Sequence, residues 1–421
     1  MKKKHQKNQE TPIKKKPAKA DKTVAPLGFA SIASQDNFDA NIGIHPHAAP
    51  IYTSSTYVYE SAEKAQSVFR GEAEAFIYSR WSHPNAELVE KKLEQLETFG
   101  LNIQAKALVF ATGMSALSAL YHSVLKPGDK ILAQGNIYGT SVDYFNHYEN
   151  NFGIDVVYAD FANMNELESI LKAEKHIKLV YTETPSNPTL NCYDLKAISA
   201  LARRYNAKSA VDNTFASPYL QQPFKHGIDF IIHSSTKYLN GHGTGLSGFL
   251  VGRDVDFIKK EVWKIRKLNG SICAPFDSWL LNLGMKTLSL RMEQHCANAL
   301  AVAKFLEAHP AVAKVNYLGL KEHADHGLAK KQMKNFGGVL SFELKNGYQA
   351  GEKLMQKIKF CKLTASLGTI DTLIQHPASM SHSFVPKEQR EAYGITDGLV
   401  RLSVGIEDAN DVINDLAQAL K

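Results

Sequence analysis

Residues 228–243 read IDFIIHSSTKYLNGHG, an apolar run that stops at His233 and is followed by three small hydroxyl residues and then Lys237. A short apolar run closed by a polar turn fits one buried strand better than a helix. The run before it, KSAVD at 208–212, has the same form and ends in Asp212, 25 residues ahead of Lys237. Further runs of this kind lie at 107–111 (ALVFA), 130–133 (KILA), 154–158 (IDVVY), 177–182 (IKLVYT) and 248–252 (GFLVG). Helical spacing separates several of them, at 115–125, 164–173 and 194–205, and another such stretch, 84–99, precedes them. Strands alternating with helices imply an α/β domain with a largely parallel sheet. The carboxyl ends of parallel strands share one edge, so Asp212 and Lys237 are expected to meet there.

The pattern changes from about residue 285, where a long helix candidate (286–307) leads into shorter strands and helices. This reads as a smaller C-terminal α+β domain over 285–421, behind a large domain over 84–284. Residues 25–83 are rich in Ser, Thr, Tyr and Pro without clear periodicity. They read as an arm laid on something else, because they can form no core of their own. Residues 1–24 form a polar, lysine-rich tail, expected to be disordered.

The chain has 421 residues, 44% of them hydrophobic, enough for two or more domains with buried cores. Its net charge of +7 invites a nucleic-acid partner, but residues 1–22 alone hold nine lysines and two acids. The remainder is therefore close to neutral, and no nucleic-acid partner is expected. No apolar run is long enough to span a bilayer, and no apolar segment of a secretory signal follows the N-terminal lysines. Four cysteines, none in a CxxC pair, read as reduced thiols of a cytoplasmic protein.

Three segments carry the chemistry. Alone, Asp212 could cap a turn; functionally, a strand-end carboxylate can face a pyridine nitrogen and favour its protonated form. Alone, Lys237 could be a surface lysine. Behind Ser234, Ser235 and Thr236, which can donate to phosphate oxygens, it is placed to form an imine with an aldehyde. In the third segment, FATGMSALSAL, a strand runs into Gly113 and a helix opens at Met114 or Ser115, where free N–H groups could hold a phosphate. The match of 243–248 (GTGLSG) to a dinucleotide loop is rejected, since a strand and not a helix follows it. HADH at 323–326 and the pair His295–Cys296 lack the companions of a metal site.

With these residues in place, the sequence resembles the cystathionine γ-synthase and methionine γ-lyase family of pyridoxal 5′-phosphate (PLP) enzymes. The likeness runs from about residue 40 to the end. It is carried by YSRWSHPN, ATGMSAL, ETPSNP, VDNTF, HSSTKYLNGHG, SLGTIDTLIQHPASMSH and LVRLSVGIED. The resemblance implies PLP fold type I, the aspartate-aminotransferase-like fold, with a seven-stranded-type sheet in the large domain. It also implies a homo-oligomer, commonly a dimer of dimers, whose active sites are shared between subunits. Lys237 would be the Schiff-base lysine and Asp212 the pyridinium partner. Gly113, Met114, Ser234 and Thr236 would hold the phosphate, joined by Tyr78 and Arg80 from the arm of a neighbouring subunit. Asn187 would touch the ring hydroxyl. Tyr138 would stack on the ring and act as acid or base on the γ side, and Arg401, assisted by Ser366, would clamp the substrate carboxylate.

The reaction implied is γ-elimination from a small sulfur amino acid, with L-methionine to methanethiol, ammonia and 2-oxobutanoate in the lead. Ala365 stands where cystathionine-processing relatives tend to carry an acid. Thr140 stands where methionine γ-lyases commonly carry a cysteine, and GHGTG is similar to O-acetylhomoserine sulfhydrylases. γ-Replacement on an O-acylhomoserine and transsulfuration through cystathionine stay open as alternatives. So, more remotely, do an aminotransferase and a non-catalytic binding protein.

Overall fold

The expected strands all form. The structure, a computed structural model, describes residues 26–36, 46–383, 387–392 and 394–421; the tail 1–24 lies outside them. β1 (Lys106–Phe110), β2 (Lys130–Gln134), β3 (Asp155–Ala159), β4 (Ile177–Glu183), β5 (Lys208–Asp212), β6 (Phe230–His233) and β7 (Gly248–Gly252) make one seven-stranded sheet. Their order across it is β1-β7-β6-β5-β4-β2-β3. From β6 to β3 every pairing is parallel, whereas β7 runs antiparallel to both β1 and β6. The connection is local: residues 234–247, which join β6 to β7, form no helix to carry a parallel crossover.

Both faces of this sheet are covered, as its near-continuous apolar strands require. Leu108, Ala133, Tyr181 and Ile232 pack on one face with the helix Gly113–Val124. Val109, Val211, Ile231 and Val251 pack on the other with the helix Pro84–Glu97. That second helix starts on a proline, behind His83, whose ring accepts the N–H of Ala86. Proline in the first turn gives up only an N–H that would lack a helical partner anyway.

The second sheet has the order β10-β11-β12-β9-β8, from β8 (Val312–Asn316), β9 (Val339–Leu344), β10 (Lys362–Leu363), β11 (Leu373–Gln375) and β12 (Leu399–Ser403). The helix Leu288–Glu307 packs Ala299, Val302 and Leu306 into its core. The helix expected over 286–307 forms, beginning two residues later; a separate helix, Pro275–Lys286, precedes it and ends at Thr287. Arg291 fills the break: its guanidinium donates to Gly284 O and Tyr238 O, both 2.7 Å, and to Thr287 Oγ1. It satisfies a carbonyl that a continuous helix would have satisfied itself.

The N-terminal segment divides in two. Residues 26–36 lie on the large domain of their own chain, with Ala33 buried and Asp36 held by Lys92, Asn282 and Lys286. Residues 51–80 form an excursion with one short helix, Ala62–Phe69, closed by a bridge between Thr56 and Tyr78, and Val68 is their only buried apolar side chain. All four cysteines are buried free thiols. Among the described residues no helix is long and apolar enough to cross a membrane.

Candidate active site

At the carboxyl edge of the large sheet a cavity of about 260 Å³ is bounded by Gly113, Met114, Tyr138, Asp212, Lys237 and Arg401, among others. Asn187, Ser234, Thr236 and Ala365 also line it. A larger groove, about 980 Å³, runs past Asp160, Lys314 and Asp325 but reaches none of these residues.

Sheet register brings the floor together. β5 and β6 pair Asp212 with Ile232, so the turn after β6 begins beside the Asp212 carboxylate. Thr214 links the two: its N–H donates to Asp212 Oδ1 at 2.9 Å, and its hydroxyl accepts Ser234 N–H at 2.8 Å. Asp212 has no cation in an ion pair among the described residues, and burial raises its pKa. Such a carboxylate lacks only a protonated partner.

The helix Gly113–Val124 aims its N-terminus at the same place. Thr112 and Ser115 cap it reciprocally, side chain to backbone, which fixes the first turn. A Cβ on Gly113 would come to 3.0 Å from Ser234, so glycine is what lets the helix end sit against that serine. Free N–H groups, a helix dipole and the Ser234 and Thr236 hydroxyls together form an anion cradle.

Lys237 follows in the turn, its N–H donating to Ser234 O. Its Nζ donates to Ser366 Oγ at 2.9 Å. No carboxylate pairs with it among the described residues. Burial first, and the charge of Arg401 second, push its pKa down to about 8. That is the setting in which a lysine is a usable nucleophile near neutral pH.

Arg401 comes from the other domain, on β12 opposite Gln375. It donates to Ser366 O at 2.6 Å and Asn187 Oδ1 at 3.1 Å, and Gln375 accepts from it with its amide oxygen turned inward. It is 4% exposed and makes no ion pair among the described residues, which excludes a purely structural salt bridge. Burial lowers its pKa to about 10, so it still carries its charge. A buried, unpaired fork beside the cavity suits a carboxylate.

Tyr138 stands at the mouth, 47% exposed, and is therefore no core aromatic. Its backbone N–H donates to both carboxylate oxygens of Glu183, at 3.0 and 2.9 Å. Tyr78 and Arg80 stack on each other and do not line the cavity of their own chain; Arg80 donates to Lys267 O. The rejected segment 243–248 is indeed the turn into β7.

Sequence reasoning missed Thr112, Thr214, Glu183 and Gln375. Glu183 was within reach of it, since it ends β4 as Asp212 ends β5.

An unpaired strand-end carboxylate, an anion cradle and a lysine of lowered pKa around one cavity match the three groups of pyridoxal 5′-phosphate: ring nitrogen, phosphate and aldehyde. Fold and site thus define a PLP-dependent enzyme of fold type I. A family model described as "Cys/Met metabolism PLP-dependent enzyme" matches residues 31–421, and the chain belongs to that family. It is 43% identical to L-methionine gamma-lyase of Fusobacterium nucleatum over 375 residues, covering 89% of this chain and 93% of that one. It is 37% identical to O-succinylhomoserine sulfhydrylase of Pseudomonas aeruginosa, covering 89% and 91%. Among solved structures, cystathionine gamma synthase from Xanthomonas oryzae pv. oryzae in complex with aminoacrylate and cysteine superposes with a TM-score of 0.87. That pair shares 34% identity and covers 94% and 98% of the two chains.

Proposed function

We propose that the protein cleaves L-methionine by γ-elimination, with water, to methanethiol, ammonia and 2-oxobutanoate. The observation that carries this is the cavity's polar inventory. The lining holds two cations free of carboxylate partners, Lys237 and Arg401, and two carboxylates, Asp212 and Glu183, both already bonded to backbone N–H groups. Beside Ser366 the lining presents only the apolar side chains of Ala365 and Leu367. A substrate with one α-carboxylate and an uncharged thioether tail fits this inventory. A second ammonium, as in cystathionine, would find no free acid there. The name of the Fusobacterium relative, at 43% identity, supports the same choice.

When bound, PLP supplies a pyridinium ring that accepts the electrons of bonds broken at the substrate carbons. In our assignment Asp212 keeps the ring nitrogen protonated, and the Gly113–Met114 turn, Ser234 and Thr236 hold the phosphate. Asn187 faces the ring hydroxyl. Lys237 would hold the cofactor's aldehyde and, when free, would move protons at the substrate α-carbon. Tyr138 would cover the ring and handle a proton on the γ side. Arg401, fixed by Ser366 O, orients the α-carboxylate. Tyr78 and Arg80 act on the phosphate of a second copy, so the working unit is a cytoplasmic homo-oligomer, a dimer or a dimer of dimers. The boundaries 84–284 and 285–421 separate cofactor domain from small domain, behind the arm 25–83.

The test is an assay with L-methionine as sole substrate. Steady release of 2-oxobutanoate is expected. Release at background level, with brisk turnover of O-acetylhomoserine plus sulfide, would replace elimination by γ-replacement.

A further inference from the structure

Tyr138 has little to hold it at the cavity mouth. Its ring is half-exposed, and it precedes the helix Gly139–Phe152 without a side-chain cap. What fixes it is a polar brace from the end of β4. Both oxygens of Glu183 accept the Tyr138 N–H. Tyr181 OH also donates to Glu183, at 3.3 Å. Gln134, at the end of β2, accepts Glu183 N–H at 3.0 Å and donates to Asn136 O at 2.6 Å, which pins the rest of the turn. Glu183 is 5% exposed and has no cation in an ion pair among the described residues. It lies opposite Asp212 in the β4–β5 register, on the same face of the sheet. Burial, and after it the charge of Asp212, hold the Glu183 carboxyl above its usual range.

We propose that Glu183 is a positioning residue, which sets the place of Tyr138 over the cofactor by accepting its backbone N–H. This rests on the role given to Tyr138 above. Glu183 then acts only through Tyr138, and the two residues are expected to be non-additive.

The experiment is a double-mutant cycle of Glu183→Ala and Tyr138→Ala, with Glu183→Gln alongside. It reads kcat and KM on L-methionine, or on O-acetylhomoserine plus sulfide should methionine not turn over. It also reads the dissociation constant of PLP by titration of the apoprotein. Glu183→Ala alone is expected to lower kcat about 10- to 100-fold with KM nearly unchanged, as a displacement of about 1 Å does. It should also weaken PLP binding severalfold. In the Tyr138→Ala background it should change either quantity by no more than about twofold. Glu183→Gln keeps an acceptor oxygen for the N–H and should recover most of the loss. Equal losses from Glu183→Ala in both backgrounds, or a Glu183→Gln as damaged as Glu183→Ala, would overturn the proposal. A silent Tyr138→Ala would instead remove the role of Tyr138 itself, and the inference with it. If Glu183→Ala does not fold, Glu183→Asp replaces it in the cycle, keeping the charge but one methylene short of the N–H.

Discussion

Lys237 shows what a single side chain owes to its surroundings. It is buried, near a second cation, and bonded only to a serine hydroxyl, so its neutral form is favoured. A lysine whose folded pKa is depressed is neutral above the lowered value. Capture of PLP by the apoenzyme is therefore expected to accelerate with pH through about 8 and to level off above it. Stopped-flow absorbance checks this, and a midpoint near the ordinary lysine value would contradict it. Arg401 belongs to the same scale. Truncating a buried two-pronged donor to a carboxylate removes charged hydrogen bonds, together about 3 kcal/mol or more, so Arg401→Ala should cut kcat/KM by about 100-fold. Arg401→Lys keeps the charge but not the fork and should fall between, in the same steady-state assay. Asp212 and Lys237 were legible in the sequence because Asp212 ends a strand-like run and Lys237 follows the next one after three small hydroxyl residues. Thr214 and Gln375 were not, because their roles depend on which strand lies next to which, and spacing along the chain does not encode that.

At the scale of elements, the proposed phosphate cradle depends on a close approach of backbone to backbone. β1 pairs with β7 so that Gly248 lies beside Phe110, just where the chain turns into the helix Gly113–Val124. A Cβ on Gly248 would fall within the backbone of Thr112. Backbone cannot yield as a flexible side chain does. Gly248→Ala is thus expected to destabilise the protein by about 1–3 kcal/mol, the usual range for overpacking. It should also reduce bound PLP, read by denaturant unfolding and by absorbance. Gly248 was read as the start of a strand and the end of a rejected dinucleotide match, and its actual constraint, contact with the Thr112–Gly113 backbone, is invisible to a local pattern. The seven strands were legible because their apolar runs are short and bounded by turns. The role of Arg291 at the junction of the helices Pro275–Lys286 and Leu288–Glu307 was not, since its hydrogen bonds to Gly284 O and Tyr238 O depend on contacts across the fold.

For the whole molecule, Tyr78 and Arg80 decide how the site is assembled. They lie on a loop with almost no core of its own and away from their chain's cavity. If they complete the site of a second copy, Lys237→Ala and Arg80→Ala damage different halves of one composite site. Mixing the two inactive variants under conditions that allow subunit exchange should then restore part of the wild-type activity, because some sites inherit both intact halves. No gain on mixing would confine the site to one chain. The sequence placed this segment outside any core, yet it gave no sign that residues 26–36 dock on their own large domain. That docking relies on Asp36 meeting Lys92 and Lys286, which lie far along the chain.

The most direct measurement is the near-ultraviolet and visible absorbance of the purified protein, wild type against Lys237→Ala, before and after adding L-methionine. Wild type should show the band of a lysine-linked PLP and change it on substrate addition, while the variant should lack that band. A Lys237→Ala protein with the same band, responding in the same way, would mean that the cofactor is attached elsewhere.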